Sequence, residues 1–301
     1  MDALVLKKVS KSFGDFWAVH DLNLRISEGE IFGLLGPNGA GKTTTLRMIM
    51  GIILPDSGDV RIFGRPNDLK TLQQVGYLPE ERGLYRRMKV VDVLHFFGEL
   101  RGMNRKERGE AIERWLERME LSSWANHKVE ELSRGMQQKL QFIITVLHQP
   151  RLLILDEPFT GLDPVNTALL KDIILELHKT GATIIFSTHL MEQVEKMCDS
   201  ICLINKGESV LQGSLVDIKK RYGKNTVIMQ YSGEARFLVD GHLVDHFDDY
   251  GNYVEVYLKP EADPQEFLRQ AVSDGVRIQR FELTEPSLND IFIETVKNEQ
   301  E

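Results

Sequence analysis

The sequence predicts an α/β protein with a phosphate-binding core and a smaller α+β unit at its C-terminal end. A glycine-rich segment, residues 36–45, follows the apolar run 31–35 and precedes a helical pattern. A second apolar run, residues 152–155, is typical of a strand buried in a parallel sheet, and two carboxylates follow it at the end where such sheets bind ligands. Beyond residue 223 the pattern changes to short strands and turns. Together these observations predict two structural units.

Composition sets the broad class of the protein. The chain has 301 residues, of which 42% are hydrophobic and 27% are charged, values ordinary for a soluble globular protein. The N-terminus lacks the layout of a signal peptide, and no apolar run reaches the length needed to cross a bilayer. Cys198 and Cys202 lack metal-site spacing, so we expect reduced thiols. The expected location is the cytoplasm, with any membrane crossing left to a separate subunit.

Charge is unevenly distributed along the chain. Residues 1–222 carry 30 basic and 29 acidic side chains, whereas residues 223–301 carry 7 and 16. This asymmetry favours two units with different surfaces, bounded at 222/223. The acidic second unit argues against a nucleic-acid partner, because such proteins normally present a basic face.

The first elements predict an antiparallel edge unit. Residues 5–9 are β-prone and residues 22–26 alternate cleanly between apolar and polar. Between them, Phe13, Phe16 and Trp17 are expected in a loop. Aromatic side chains just before a nucleotide site can stack on adenine, but simple packing explains them equally well.

The glycine-rich segment matches the pattern G-x-x-x-x-G-K-[ST], with Gly36, Gly41, Lys42 and Thr43 in register. Glycines let backbone N–H groups close around a polyphosphate, and the helix N-terminus adds partial positive charge. The motif predicts that Lys42 reaches the β- and γ-phosphates and that the Thr43 hydroxyl binds Mg²⁺. It leaves open which nucleotide is bound and for what work.

A helical insert is predicted over residues 88–150, after strands at 60–63 and 75–79. Residues 80–89 are strongly charged and are expected to form an exposed loop. Helices follow at 90–100 and 105–119, because apolar residues recur at helical spacing in both.

Two carboxylates, Asp156 and Glu157, end the buried strand at 152–155. Asp156 is predicted to hold Mg²⁺ opposite Thr43, and Glu157 to polarise an attacking water. Since adjacent strand residues point to opposite faces, we expect the two side chains to face apart. His189 follows another β run and is a candidate contact for the γ-phosphate, although a lone histidine is as often structural.

The remaining elements complete the two units. In the first unit we expect helices at 165–179, 191–197 and 215–222, and strands at 182–187, 201–204 and 208–211. In the second unit, with a hinge near Gly223, we expect strands at 227–231, 254–258 and 276–283, and helices at 264–273 and 287–296.

Residues 132–138, Leu-Ser-Arg-Gly-Met-Gln-Gln, resemble the Leu-Ser-Gly-Gly-Gln signature of ATP-binding cassette (ABC) transporters. With Lys42, Asp156-Glu157, residues 161–163 and His189 in family order, residues 1–222 resemble the nucleotide-binding subunit of such a transporter. The resemblance implies a P-loop NTPase ABC ATPase core, a mixed sheet with an antiparallel edge unit and a helical subdomain. It implies ATP and Mg²⁺ as ligands. It implies that Phe13 stacks on adenine and that the phosphates are cradled by Gly36, Asn38, Gly39, Ala40, Gly41, Lys42, Thr43 and Thr44. Mg²⁺ would be held by Thr43, Asp156 and Glu80, with Glu157 as the catalytic base, His189 as the γ-phosphate switch and Lys42 as a further catalytic residue. Ser133 and Gly135 would bind the γ-phosphate of ATP held by a second subunit, and Asp163 would line the interface with that subunit.

The sequence departs from the family pattern at several positions. Glu80 stands where family members usually carry Gln, which keeps an oxygen ligand and adds negative charge near the phosphates. Arg134 replaces the first glycine of the signature, and Met136 stands where Gln is common. The Ser133-x-Gly135 core is intact, so we expect binding and hydrolysis to persist with a tuned rate. Phe159-Thr160 also differs from the more frequent Thr-Ser, without a consequence we can derive.

The resemblance implies partners as well. Because the signature is expected to contact ATP held by a second subunit, two subunits would bury two nucleotides head to tail, and a homodimer is sufficient. The loop 80–89 and the following helix match the region that meets the membrane permease, with Leu84, Tyr85, Val91 and Phe96 as a candidate apolar patch; an ordinary solvated face is the alternative.

Residues 281–292 resemble the small accessory domain of bacterial exporter-type ABC ATPases, of the ABC-2-like subgroup. The leading hypothesis is therefore an ATPase motor for export, placed at the inner face of the membrane through its permease. The alternative is a soluble ABC ATPase that acts on a non-membrane partner. A protein that binds ATP with little turnover is disfavoured by the intact Glu157 and His189.

Overall fold

The computed structural model describes residues 1–81, 83–222, 226–233, 236–239, 242–259 and 261–298. It divides into two compact units, Met1–Gln212 and Gly213–Glu301. The hinge predicted near Gly223 lies outside the described residues. The division falls ten residues before the 222/223 boundary, because the helix Leu215–Tyr222 groups with the second unit. Within that unit the Tyr222 hydroxyl lies 3.0 Å from the hydroxyl of Thr295.

The edge unit is a four-stranded antiparallel sheet of order β2-β1-β4-β5. Its strands are β1 (Asp2–Phe13), β2 (Phe16–Ser27), β4 (Ser57–Ile62) and β5 (Arg65–Pro66). The predicted loop for Phe13, Phe16 and Trp17 is wrong, because β1 and β2 are far longer than their apolar cores. Phe13 pairs with Phe16 across a two-residue turn, so the aromatics stand at the tip of a hairpin.

The central sheet has six strands in the order β10-β9-β3-β8-β7-β6. The strands are β3 (Ile31–Leu35), β6 (Val75–Leu78), β7 (Leu152–Asp156), β8 (Thr183–Thr188), β9 (Ser200–Asn205) and β10 (Glu208–Ser214). The pairs β3–β8, β7–β8, β6–β7 and β3–β9 are parallel, so their carboxyl ends share one edge. Strands β3, β7 and β8 are buried throughout, which explains their unbroken apolar runs.

Helices surround this sheet and fill the insert. Around the sheet lie α1 (Lys42–Ile49), α2 (Leu69–Leu72), α6 (Pro164–Lys179) and α7 (Met191–Met197). The insert contains α3 (Val90–Leu100), α4 (Arg105–Arg118) and α5 (Arg134–Val146), which confirms the helical subdomain. No helix in the described ranges is long and apolar enough to cross a membrane.

The second unit is a four-stranded antiparallel sheet of order β12-β13-β11-β14 with helices. Its elements are α8 (Leu215–Tyr222), β11 (Thr226–Ser232), α9 (Arg236–Val239), β12 (Val244–Asp249), β13 (Val254–Leu258), α10 (Pro264–Ser273), β14 (Arg277–Thr284) and α11 (Leu288–Asn298). β12 escaped the sequence prediction because only Val244 in it is buried, which leaves no alternation to detect. The predicted α+β class is confirmed.

Candidate functional site

A cavity of about 400 Å³ lies at the carboxyl edge of the central sheet, against the phosphate loop. The phosphate loop follows β3, and two carboxylates lie beside it, Asp156 at the end of β7 and Glu157 directly after it. The hairpin tip of the edge unit closes another side. The lining residues are Phe13, Phe16, Ala18, Asn38, Gly39, Ala40, Gly41, Lys42, Thr43, Thr44, Glu80, Asp156 and Glu157. The fold thus collects most of the predicted site residues around one space.

Glycine is required at both ends of the phosphate loop. Gly36 and Gly41 have φ of +148° and +110°, a region that side chains rarely adopt. A Cβ at Gly36 would lie 2.2 Å from the carbonyl oxygen of Ile204, and one at Gly41 would lie 2.3 Å from that of Ala18. The loop therefore packs directly on neighbouring backbone, which fixes its shape before any ligand binds.

Gly41→Ala is expected to destabilise the protein by about 2–5 kcal/mol, because it adds a backbone clash to backbone strain. Gly39→Ala is the matched control, since Gly39 also has positive φ but has open space at its Cβ position. It should cost about 1–2 kcal/mol. Urea midpoints of the two variants test this difference, and equal losses would show that the Ala18 contact is unimportant.

Lys42 folds back over the loop that precedes it. Its ammonium donates to the carbonyl oxygens of Gly36 at 2.7 Å and Pro37 at 3.1 Å. Burial lowers the pKa of Lys42, while the negative charges of Glu157, Asp156 and Glu80 oppose that shift. The ammonium is thus held at the mouth of the loop, where a polyphosphate would lie.

Asp156 and Thr43 form the pair expected of a metal site. The Thr43 hydroxyl donates to Oδ2 of Asp156 at 3.0 Å. Oδ1 of Asp156 is buried and has no hydrogen-bond partner among the described residues. Burial raises the pKa of Asp156, and the neighbouring charges of Glu80 and Glu157 add to that rise. A hard cation with oxygen ligands would satisfy the orphan oxygen and offset these charges, so the donor set fits Mg²⁺.

Glu157 contacts His189 directly. Nδ1 of His189 lies 2.8 Å from Oε1 of Glu157, and the His189 backbone N–H donates to the same oxygen at 3.2 Å. The Thr188 hydroxyl donates to Oε2 at 3.2 Å. These bonds hold the carboxylate at the cavity wall and make its orientation depend on His189.

The expectation that Asp156 and Glu157 face apart is wrong. β7 ends at Asp156, and Glu157 has a φ of +48°, outside the extended region. This left-handed residue turns the chain, so both carboxylates line the same cavity. The alternation of strand side chains does not apply one residue beyond the strand.

Ala18 lines the cavity and was not predicted to do so. Of the three aromatic residues considered for adenine, Phe13 and Phe16 line the cavity and Trp17 does not. The Gly14-Asp15 turn is the signal that separates them, because a two-residue hairpin places residues 13 and 16 opposite each other.

Ser133, Gly135 and Asp163 do not line the cavity. The Ser133 side chain is exposed and caps α5 through the N–H of Met136 at 3.3 Å. Asp163 caps α6 through the N–H of Asn166 at 2.9 Å. A Cβ at Gly135 would meet Leu162 at 3.7 Å, so the signature and the 161–163 loop lie side by side.

Comparisons with known proteins agree with this geometry. Residues 19–160 match the family model described as ABC transporter, and residues 213–296 match the C-terminal domain of DrrA1-3-like ATP-binding proteins. The uncharacterized ABC transporter ATP-binding protein YhaQ of Bacillus subtilis is 46% identical, over 97% of this chain and 98% of that protein. The Nod factor export ATP-binding protein I of Rhizobium etli is 34% identical, over 100% of this chain and 95% of that protein.

Solved structures show the same fold. A structure of an ATP-binding subunit of an ABC transporter has a TM-score of 0.70 at 30% identity, covering 73% of this chain and 93% of that one. A nucleotide-free ATP-binding cassette from an ABC transporter has a TM-score of 0.64 at 22% identity, covering 73% of this chain and 94% of that one. Both likenesses agree with the predicted fold class.

Proposed function

Since the chain belongs to the ATP-binding subunits of ABC transporters, which hydrolyse ATP to drive transport, we propose that its cavity binds Mg²⁺–ATP and that two copies enclose two nucleotides. The single observation that carries this proposal is the cavity itself. A phosphate loop, an Asp156 oxygen without a partner and the Glu157–His189 pair meet there. The Glu157→Gln variant tests the proposal: its rate of ATP turnover tests the catalytic role of the cavity, and its mass in solution with ATP tests the pairing of two copies.

The phosphate loop and the carboxylates divide the work of binding. Backbone N–H groups of residues 38–44 and the ammonium of Lys42 would hold the phosphates. Thr43, Asp156 and Glu80 would hold Mg²⁺, which neutralises charge on the phosphates when bound. Glu80 lines the same cavity as the other two residues, which supports its inclusion.

Glu157 is the proposed general base and His189 its partner. The carboxylate would accept a proton from the attacking water, in the manner of a positioned base. His189 holds Oε1 of Glu157 at 2.8 Å, so a γ-phosphate that hydrogen-bonds the histidine would also set the direction of the carboxylate. Phe13, half-exposed at the cavity wall, would stack on adenine.

Ser133, Gly135 and Asp163 would act on the nucleotide of the second copy. Ser133 is exposed at the first turn of α5 and away from its own cavity, as a donor to another chain must be. A head-to-tail pair with two-fold symmetry would place each signature over the opposite phosphate loop. ATP would then hold the two copies together until it is hydrolysed.

An aromatic patch supports docking to a membrane permease. Family members pair with permease subunits. Here the rings of Tyr85 and Phe96 meet edge to face at 5.5 Å, and Phe97 lies 5.3 Å from Phe96. Tyr85 is 51% exposed and Phe96 42% exposed, unusual values for clustered aromatics. Leu84 and Val91, also expected in the patch, are half-buried.

Tyr85→Asp is expected to lower copurification with the permease at least about tenfold, because it places a charge in an aromatic contact. ATPase activity of the isolated subunit should stay within about twofold, since Tyr85 does not line the cavity. Leu69→Asp, at a side chain 87% exposed elsewhere, is the matched control. Unchanged assembly of the Tyr85 variant would refute the docking surface.

We propose export as the direction of transport and the inner face of the membrane as the location. The support is the name of the Nod factor export protein, together with the linearmycin resistance ATP-binding protein LnrL of Bacillus subtilis, 32% identical over 96% of this chain and 97% of that protein. Membrane fractionation tests the location: the subunit should sediment with its permease, and a purely soluble distribution would favour a non-membrane partner.

A further inference from the structure

The tip of the β1–β2 hairpin carries both aromatic residues of the cavity, yet the strand pairing that leads to it is irregular. β1 pairs with β4 only as far as Ser10, which lies opposite Ser57. Beyond that point β1 pairs with β2 alone, with register shifts on both sides of Lys11. Such irregularities interrupt the ladder of backbone hydrogen bonds. Phe13 therefore needs another support to keep a fixed position.

Asp56 supplies contacts where the ladder ends. Its backbone N–H donates to the Ser10 carbonyl at 2.9 Å. Its Oδ2 accepts from the Ser12 backbone N–H at 2.7 Å and from the Ser12 hydroxyl at 3.0 Å. Its Oδ1 accepts from Lys11 Nζ at 2.6 Å. One carboxylate thus fixes the two residues that precede Phe13.

Lys11 connects this anchor to the aromatic ring. Its ammonium, held by Asp56, lies 5.7 Å from the centroid of the Phe13 ring, within the range of a cation–π contact. The lysine therefore packs against the ring from the side of the anchor. Phe13 also lines the cavity, so its ring is held between the anchor and the nucleotide space.

We propose that Asp56 is a positioning residue for nucleobase recognition: through Ser12 and Lys11 it holds Phe13 in place for stacking on the base. The proposal rests on the proposed stacking role of Phe13 and adds a residue that does not line the cavity. A ring held in place loses less conformational freedom on binding, which raises affinity for a base without a new contact.

Charge chemistry supports the anchor across the working pH range. Hydrogen bonds from Lys11 and Ser12 lower the pKa of Asp56 to about 2. A carboxylate with a lowered pKa stabilises the fold above its ordinary value near 3.8, and that contribution is lost only as pH falls through about 2. The anchor is therefore ionised at both pH 6 and pH 8, so the loss of affinity caused by the Asp56 variant, relative to wild type, should be the same at the two pH values.

The test measures the affinities of ADP and of pyrophosphate by isothermal titration calorimetry. Both ligands contain two linked phosphates, but only ADP carries a nucleoside. Phe13→Ala should weaken ADP binding about tenfold and leave pyrophosphate unchanged. Asp56→Asn should do the same by about threefold to tenfold. Lys11→Met should act in the same direction. Asp59→Asn, an exposed carboxylate on β4 paired with Arg61, is the matched control and should change neither ligand.

Each outcome has one meaning. Selective loss of ADP affinity in the Asp56 and Lys11 variants, with pyrophosphate affinity unchanged, supports the positioning role. Equal loss for both ligands would overturn it, because the anchor would then act on the phosphate loop or the fold. An effect of Phe13→Ala without one in the Asp56 and Lys11 variants would overturn the positioning role and leave stacking intact. No effect of Phe13→Ala would refute the proposed stacking itself.

Discussion

Glu157→Gln is expected to lower ATP turnover by about 10²–10⁴-fold while nucleotide binding persists. The amide keeps the size of the side chain, and its single oxygen, placed where Oε1 lies, can still accept from the His189 backbone N–H, but it cannot take a proton from water. The carboxylate is 9% exposed and contacts His189 at 2.8 Å, so the change acts at one defined place. Single-turnover kinetics with saturating Mg²⁺–ATP measure the loss.

The same variant tests the two-copy arrangement. If ATP joins two copies and hydrolysis releases them, the slow variant should accumulate as a species of twice 34.5 kDa with ATP and as a monomer with ADP. Light scattering separates these masses. Glu192→Gln, an exposed carboxylate in the first turn of α7, is the control and should leave turnover and mass unchanged. A monomer at high concentration with ATP would contradict the arrangement.

The phosphate loop could be predicted because its signal is local. The glycines, Lys42 and Thr43 are contiguous, and the strand and helix that flank them have clear periodicity. The contact between Thr43 and Asp156 could be predicted too, because β7 is an unbroken apolar run that ends at Asp156. In both cases polar or glycine residues directly follow a buried strand, at the sheet edge where ligands bind, so the sequence alone indicates where the site lies.

The remaining contacts depend on distant parts of the chain. Asp56 meets Ser12 across 44 residues, which no spacing rule connects. The shared orientation of Asp156 and Glu157 depends on a single left-handed residue. β12 is exposed along most of its length, so its pairing with β13 is a property of the sheet rather than of its own pattern. Tertiary context decides each of these features.

The raised pKa of Asp156 gives the apo protein a defined pH dependence. Burial favours the protonated carboxyl, so the native state binds more protons than the unfolded state between the ordinary value of 3.8 and the raised one. Stability of the nucleotide-free protein should therefore fall as pH rises through that window. The ionised carboxylate, with one oxygen that has no hydrogen-bond partner among the described residues, is the form that would bind the proposed cation.

Asp156→Asn is accordingly expected to lower Mg²⁺-dependent turnover by about 10²-fold or more. The same change should raise the melting temperature of the nucleotide-free protein. It removes a buried charge while an amide oxygen can still accept from Thr43, and each kcal/mol gained is worth about 2–4 °C in a domain of this size. Differential scanning calorimetry over a pH series that starts near 3.8 measures the effect, and the fall of the melting temperature with rising pH should be smaller than in wild type. Asp59→Asn, exposed and ion-paired to Arg61, should change neither property. A lower melting temperature for Asp156→Asn would contradict this account. It would mean that the Asp156 carboxylate stabilises the nucleotide-free fold, so that no stability is lost by keeping it.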